Sequence, residues 1–299
     1  MFPIIPANSV AEESGNSEGI FGYGGPNGSY VSMTNLVANT GVVATDVTGV
    51  GTARNNLAAT QYGGDKGIFG FGNTGSDVSM TNLVSNVGVV ATDVTGVGTA
   101  RRRLGGCSYG EDKGIFAYGK TGSSLSMSNL VSNAGVVATD VTGVGTARNQ
   151  LSACEFGGDK GIFGYGRNGG SYVSMTNLVS NVGVIATDVA GVGTARENIA
   201  ACSYGGDKGI FGGGNSPTTG ITNLVSNVGV VASDTAAVAT ARNGWGACEY
   251  GGDKGIFGYG SAPSGYVSIT NLVSTIGVVS SDVTGVGTAR PLIIACSFN

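Results

Sequence analysis

The segment Asp65-Lys66-Gly67-Ile68-Phe69-Gly70-Phe71-Gly72 has five close relatives elsewhere in the chain. The glycines that open the six copies are Gly19, Gly67, Gly114, Gly161, Gly209 and Gly255. A regular spacing of 46 to 48 residues is typical of a repeat architecture, in which each copy forms one structural unit. We therefore number the copies, in chain order, as units 1 to 6.

A β-strand pattern fills each unit, as the residues around Gly114 illustrate. Apolar runs at 104–109 and 114–118 are joined by turn residues at 110–113, which predicts a hairpin. Residues 125–131 alternate between apolar and polar, and the mostly apolar segment 136–141 follows a further turn. No period of 3.6 residues is present, so each unit is predicted to contain four short antiparallel strands.

Four-stranded units of this length predict an all-β fold, the six-bladed β-propeller, with four antiparallel strands per blade. The chain ends with an additional first strand at Pro291–Phe298. We expect this C-terminal strand to close blade one, since closure removes exposed sheet edges. The predicted domains are an irregular N-terminal leader at 1–18 and the six-bladed propeller at 19–299.

The composition argues against several classes of partner. The 299 residues include 56 glycines, and 41% are hydrophobic while 11% are charged, which does not fit a disordered chain. With 15 basic and 19 acidic residues and a net charge of −4, the sequence has no basic stripe, so we expect no nucleic-acid partner. No run approaches 18 apolar residues, so we expect no membrane insertion. The N-terminus lacks the pattern of a signal peptide.

Five cysteines occupy equivalent positions, one repeat apart, and Thr60 stands at the sixth. They are Cys107, Cys154, Cys202, Cys248 and Cys296. An odd number of cysteines, each at the same place in its unit, does not favour a disulfide framework. We expect small, buried hydrophobic side chains and no redox or metal-binding role.

One rim of the predicted propeller is the candidate partner or ligand face. It carries the loops between second and third strands, which differ most between units, and differences within a uniform scaffold are where specificity is expected. The candidate residues are Arg54, Arg101, Arg148, Arg196, Arg242, Arg290, Tyr30, Tyr172 and Tyr266. The arginines are interpreted as an anion-binding ring, and the tyrosines as platforms for sugar stacking.

A structural role is the alternative for the arginines. Each would form a charge-assisted pair with the aspartate eight residues before it. These aspartates are Asp46, Asp93, Asp140, Asp188, Asp234 and Asp282. Structural roles are also predicted for the Asp-Lys turns that begin at Asp65, Asp112, Asp159, Asp207 and Asp253, for the asparagines Asn35, Asn82, Asn129, Asn177, Asn223 and Asn271, and for the core tyrosines Tyr23, Tyr118, Tyr165 and Tyr259.

The sequence offers little for catalysis. It contains no histidine, so neither a Ser-His-Asp triad nor a histidine metal ligand is possible. Acids from different blades, as in propeller glycosidases, remain an alternative. However, the repeat supplies like groups in equivalent places, whereas an acid and a base need unlike environments. We predict no catalytic residues, no cofactor and no metal site, and a protein that is not an enzyme.

The order of arginine, apolar strand, turn and Ile-Phe-Gly-Tyr-Gly strand resembles the kelch-type propeller, and Gly24-Gly25 supplies a diglycine of kelch type. That resemblance implies an innermost first strand and closure of blade one by the C-terminal strand. The sequence of the repeat, from Gly-Gly-Asp-Lys-Gly-Ile-Phe to Gly-Thr-Ala-Arg, resembles the repeats of uncharacterised proteins of marine bacteriophages. Those proteins are supposed to be virion or tail components.

The resemblance implies a structural protein of a virion, in the tail, a fibre or the capsid, assembled in the host cytoplasm. It would mediate contacts with other virion proteins or host attachment, with the leader as the docking segment. A lectin-like adhesin that binds host-surface glycans through the variable rim is the alternative from another class. A propeller glycosidase is a further alternative.

Overall fold

The computed structural model describes residues 18–26 and 28–298. This part of the chain is built from β-strands, turns and irregular segments. It contains no helix that is long and apolar enough to cross a lipid bilayer. The predicted leader, apart from Glu18, lies outside the described residues.

Six three-stranded antiparallel sheets and two short ribbons form the described structure. Strands are numbered in chain order, and sheets follow the units. Sheet 1 contains β1 (Gly19–Gly22), β2 (Thr34–Val37) and β22 (Ile294–Ser297). Sheet 2 contains β3 (Ala58–Tyr62), β4 (Lys66–Asn73) and β5 (Asp77–Val84). Sheet 3 contains β6 (Gly105–Tyr109), β7 (Lys113–Ala117) and β8 (Ser128–Val131).

The second half of the chain repeats this arrangement. Sheet 4 contains β9 (Ser152–Phe156), β10 (Lys160–Gly164) and β13 (Thr176–Val179). Sheet 5 contains β14 (Ala200–Tyr204), β15 (Lys208–Gly214) and β16 (Thr219–Val225). Sheet 6 contains β17 (Gly246–Tyr250), β18 (Lys254–Gly258) and β21 (Thr270–Val273). The ribbons are β11 (Arg167–Asn168) with β12 (Ser171–Tyr172), and β19 (Ser261–Ala262) with β20 (Gly265–Tyr266).

Sheet 1 joins the two ends of the described chain. Its central strand β1 pairs with β2 on one side and with β22 on the other, in the register Gly19 to Ser297 and Gly22 to Ile294. The sequence predicted this pairing. It gives β1 hydrogen-bonding partners on both edges, so neither edge of β1 is open to pairing with another chain.

The hydrophobic core is divided into six clusters, and each lies between two sheets. One cluster places Ile20 and Tyr23 of unit 1 against Phe69 of sheet 2, and another places Phe21 of sheet 1 against Cys248 and Ile256 of sheet 6. The remaining clusters join sheets 2 and 3, 3 and 4, 4 and 5, and 5 and 6. The first strands also contact one another in the order β3, β6, β9, β14, β17, β22 and again β3.

The predicted fourth strand of each unit is not a continuous strand, which corrects the sequence reading. In unit 1 it pairs with the third strand through two isolated bridges, Thr34 to Val47 and Val37 to Val43. Two residues separate the bridges on one side and three on the other, so an extra residue interrupts the ladder as in a β-bulge. The Asn35 side chain fills the gap by donating to the carbonyl of Ala44 at 3.1 Å.

The glycine that opens each unit lies where neighbouring sheets pack closely. A Cβ atom at Gly161 would lie 2.5 Å from Sγ of Cys107 on sheet 3. The same pairing joins Gly19 to Cys248, Gly67 to Cys296, Gly209 to Cys154 and Gly255 to Cys202, while Gly114 meets Thr60. All five cysteines are free and buried, as predicted, and burial raises the pKa of the Cys154 thiol to about 12.

We expect Gly161→Ala to destabilise the protein by about 1–3 kcal/mol, because overpacking a filled interior costs that much. Adding Cys107→Ala removes the sulfur atom from the contact, so the double variant should recover part of the loss. The free energies of unfolding of the two single variants and the double variant, measured in denaturant, give the coupling between the two positions.

Gly170→Ala is the matched control. Gly170 has no atom within 4 Å of an added Cβ and lies outside the left-handed backbone region, so its stability should stay close to that of the parent. Additive losses in the double variant would contradict the proposed packing of cysteine against glycine.

Candidate functional site

The six arginines of the candidate face are buried between sheets. Arg54 has 0% exposure, and its guanidinium lies 4.4 Å from the ring centroid of Tyr23 in unit 1. Its Nε donates to the carbonyl of Phe71 at 2.9 Å, and one terminal nitrogen donates to Oδ1 of Asn82 at 2.7 Å, both in sheet 2. The arginine therefore ties unit 1 to sheet 2 by cation–π stacking and charge-assisted hydrogen bonds.

An aspartate and a threonine complete this contact. Both oxygens of Asp93 accept from the backbone N–H of Thr52, at 3.2 and 3.0 Å, and the Thr52 hydroxyl donates at 2.6 Å. Asn82 donates to Asp93 at 2.9 Å, and Arg54 lies 3.8 Å from the same carboxylate. We call this group of arginine, threonine, asparagine and aspartate the inter-sheet clamp.

The arginine–aspartate and threonine–aspartate contacts of the clamp recur at every junction between successive units. At one junction the arginine–asparagine bond is replaced, because Arg148 donates to the carbonyl of Phe163 and not to Asn177. The arginine–aspartate pairs are Arg54 with Asp93, Arg101 with Asp140, Arg148 with Asp188, Arg196 with Asp234, Arg242 with Asp282, and Arg290 with Asp46. The last pair joins the final unit to unit 1, where Thr288 also binds Asp46.

Two sequence interpretations are corrected by the clamp. Arg54, Arg101, Arg148, Arg196, Arg242 and Arg290 are buried, so they do not form an exposed anion-binding ring. Pairing with aspartate was the right alternative, but the partner is the aspartate of the next unit. The loop crosses from one unit to the next sheet and carries its arginine away from the aspartate eight residues earlier.

The protonation states fit a structural role. Burial lowers the pKa of Arg101 to about 10, so the guanidinium is still charged at neutral pH. Burial acts to raise the pKa of Asp93, but the hydrogen bonds from Thr52 and Asn82 and the charge of Arg54 bring it below its usual value. The clamp is therefore an ion pair held in its charged form.

The core tyrosines behave as predicted. Tyr23, Tyr118, Tyr165 and Tyr259 are fully buried, and each hydroxyl donates to a carbonyl of the following loop, as Tyr23 does to Val50 at 3.1 Å. Their backbone is in the left-handed region, with φ near 60°, which is uncommon for a bulky residue. With this backbone conformation the four rings lie in the clusters between neighbouring sheets.

Unit 5 departs from this pattern and compensates for the change. Gly213 stands where the tyrosine would be, and Trp245 fills the space, since a Cβ at Gly213 would lie 2.2 Å from the indole. The indole N–H donates to the carbonyl of Gly212 at 3.1 Å, and Arg242 stacks on the indole at 4.4 Å. The arginine thus keeps an aromatic partner.

The three rim tyrosines lie in different environments. Tyr30 is half-buried and donates to Oδ1 of Asn73 at 3.1 Å. Tyr172, at 37% exposure, lies on β12 with Arg167 5.5 Å from its ring centroid, and Tyr266, at 50% exposure, lies on β20. Tyr172 and Tyr266 therefore present accessible rings on the two ribbons.

Six residues that sequence reasoning missed surround one end of the cavity between the first strands. Asn56, Arg103, Gln150, Asn198, Gly244 and Leu292 all have φ between 54° and 59°, and all of them except Gln150 line this 90 Å³ cavity. Five of the six are joined to the preceding member by an N–H to carbonyl hydrogen bond of 2.6 to 3.0 Å. We call these residues the mouth ring. Unlike the clamp, they differ from unit to unit.

A second set of missed residues lies at the other end of the first strands. Three larger polar side chains, Gln61, Glu155 and Glu249, alternate with three serines, Ser108, Ser203 and Ser297, around a 60 Å³ cavity. Burial and the charge of Glu155 raise the pKa of Glu249 to about 7, and burial raises the pKa of Glu155 to about 7. In the sequence, this set could have been recognised because a larger polar residue and a serine alternate at this position in successive units.

Both missed sets occupy variable places in a constant repeat. Within residues 18–26 and 28–298, no group of three or more His, Cys, Asp or Glu side chains is placed to hold a metal ion. The arrangement offers two partly protonated carboxyl groups on one end and a polar mouth on the other. The sequence matches no known family model and no curated protein.

We expect Asp93→Asn to lower the free energy of unfolding by about 2–3 kcal/mol. The amide cannot accept all the hydrogen bonds from Thr52 and Asn82, and it leaves Arg54 buried without its counter-charge. Asp65→Asn is the control because Asp65 pairs with Lys66 at the surface, where ion pairs contribute little. Equal stability losses in the two variants would contradict the clamp.

The glutamates make stability depend on pH. Their folded-state pKa values lie above the unfolded value, so the folded state binds more protons and stability falls as pH rises from about 4.5 to about 7. We expect the double variant Glu155→Gln, Glu249→Gln to flatten this fall and to gain about 1 kcal/mol or more at pH 8. Denaturant unfolding from pH 5 to pH 8 measures the effect, and Gln61 shows that the position accepts glutamine. An unchanged slope would contradict the assignment.

Proposed function

We propose that the chain is a closed six-bladed β-propeller of kelch-like type that serves as a non-enzymatic structural and interaction module. The main observation in support is that the constant residues of the repeat form the contacts that hold neighbouring sheets together. Each arginine, aspartate and asparagine of the clamp has its partners inside the protein, as Arg54, Asp93 and Asn82 do. Such groups are not available to substrates.

Closure of the proposed ring is supported by contacts between the ends of the chain. β22 pairs with β1, the Arg290–Asp46 pair repeats the other clamps, and Gly19 packs on Cys248 of sheet 6. Each sheet would be one blade, and the bulged fourth segment would be its outer edge. Every junction then contains the same arginine–aspartate pair.

The variable positions support an interaction role. The ribbons with Tyr172 and Tyr266 and the mouth ring differ between units, and both belong to the rim where loops between second and third strands meet the incoming chain, as the Asn149 to Arg167 bridge illustrates. A repeated scaffold whose connecting loops vary on one rim suits binding of a partner there.

We further propose a place in a bacteriophage virion, as a tail, fibre or capsid-associated protein that contacts other virion proteins or the host surface. This part rests on the resemblance of the repeat and not on geometry. Residues 1–18 would dock the ring onto another particle protein, since they lie outside the repeat.

Deleting residues 1–18 from the gene in an encoding phage should give a protein that folds normally but is missing from purified particles. Circular dichroism and thermal melting check the fold, and mass spectrometry of particles checks incorporation. The matched control, Tyr172→Ala with Tyr266→Ala, should enter particles normally. Normal incorporation of the deleted protein would refute docking by the leader.

A lectin-like adhesin is the second candidate, and the exposed rings of Tyr172 and Tyr266 favour it. Aromatic faces with nearby polar groups bind sugars by stacking, and Arg167 lies next to Tyr172. On a glycan array the isolated protein would bind sugars under this hypothesis, and the tyrosine double variant would not. Failure to bind any glycan leaves the scaffold role as the better account.

A further inference from the structure

A polar pocket of 200 Å³ lies on the rim beside the mouth ring. It is lined by Tyr30, Asn56, Asn73, Arg102 and Arg103, together with Gly75. This volume corresponds to about seven water molecules at ~30 Å³ each. A pocket of this volume suits a ligand of single-sugar size. Asn56 and Arg103 also line the cavity between the first strands.

Arg103 differs from the six clamp arginines because it has no carboxylate within ion-pair distance in the described chain. One terminal nitrogen donates to Oε1 of Gln150 at 3.0 Å. Its Nε–H is shielded from water and has no hydrogen-bond partner, which is costly for a charged donor. Arg102, by contrast, is paired with Asp77.

The charges around Arg103 leave an excess of positive charge. Arg102 and Arg167 act on it as like charges, and Glu197 and Asp77 as opposite charges. Arg167 is itself paired with Glu197 at 3.7 Å. The three guanidinium groups and two carboxylates therefore sum to one uncompensated positive charge, and Arg103 is the group without a carboxylate of its own.

Only at this junction are the two residues that follow the clamp arginine both arginines, Arg102 and Arg103. The equivalent residue pairs are Asn55-Asn56, Asn149-Gln150, Glu197-Asn198, Asn243-Gly244 and Pro291-Leu292. The pocket is thus built from unlike groups within a repeating scaffold, as specific binding requires.

We propose that this pocket binds a carboxylate carried on a hydroxylated ligand of single-sugar size, with Arg103 as the binding group. The Nε–H edge of a guanidinium matches the two oxygens of a carboxylate in a bidentate pair, so rotation of Arg103 toward the ligand would satisfy its unpartnered donor. Asn56, Asn73 and the Tyr30 hydroxyl stand beside it as hydrogen-bonding groups for the sugar. This site is independent of any role in a virion.

Calorimetric titration of the full chain with sodium glucuronate tests the proposal. We expect binding in the millimolar range, and no binding of glucose, which has the same ring without the carboxylate. Arg103→Gln should weaken glucuronate binding about tenfold or more, the usual effect of losing a hydrogen bond to a charged group. Gln150 occupies the equivalent left-handed position, so glutamine is compatible with the backbone there.

Two further variants make the result specific. Lys66→Gln removes one positive charge from an exposed turn and should leave affinity unchanged. Arg103→Lys keeps the charge but not the planar fork, so its affinity should fall between those of the parent and Arg103→Gln, and it replaces that variant if glutamine prevents folding. Absence of glucuronate binding, equal binding of glucose or acetate, or equal loss in the Lys66→Gln variant would overturn the proposal.

Discussion

The buried guanidinium group between neighbouring sheets is the constraint on which the structure depends. A charge removed from water costs several kcal/mol unless partners replace the lost solvation. Arg54 has an aromatic ring on one unit and amide, carbonyl and carboxylate oxygens on the next. Because all these partners are needed together, the Thr-Ala-Arg sequence is present at every junction. The junction of unit 5 keeps the stacking partner through Trp245 although its tyrosine is replaced by Gly213.

Freedom to vary is left to positions that do not join sheets. The mouth ring, the ribbons and the alternating glutamates and serines point into cavities or solvent, where a change does not break a clamp. Side chains of different chemistry can therefore occupy equivalent positions in different units, as Arg102 and Arg103 do at one junction. The division explains how a nearly uniform repeat can carry one asymmetric pocket: the interlocking residues fix the backbone, and the remaining residues decide what it can bind.

Much of the fold was predictable because spacing and strand pattern depend on local chemistry. The all-β class, the three strands of each sheet, the pairing of the last strand with β1 and the buried cysteines followed from the repeat. The fourth strand was predicted wrongly because a one-residue bulge does not change the apolar pattern of Val43 to Val47. The arginine partner was also wrong, since sequence separation does not say whether a loop folds back or crosses to the next sheet. The mouth ring was missed because left-handed backbone at residues such as Arg103 and Gln150 has no signature in side-chain type.

The pairing of β22 with β1 also affects the order of events during synthesis. Residues Gly19–Gly22 leave the ribosome among the first of the repeat, yet one of their two neighbouring strands, Ile294–Ser297, is made some 270 residues later. Until then one edge of β1 is open to pairing with other chains. An unpaired edge of this kind makes the nascent protein prone to aggregation. We therefore expect translation speed and chaperone protection to affect how much folded protein is recovered from a cell.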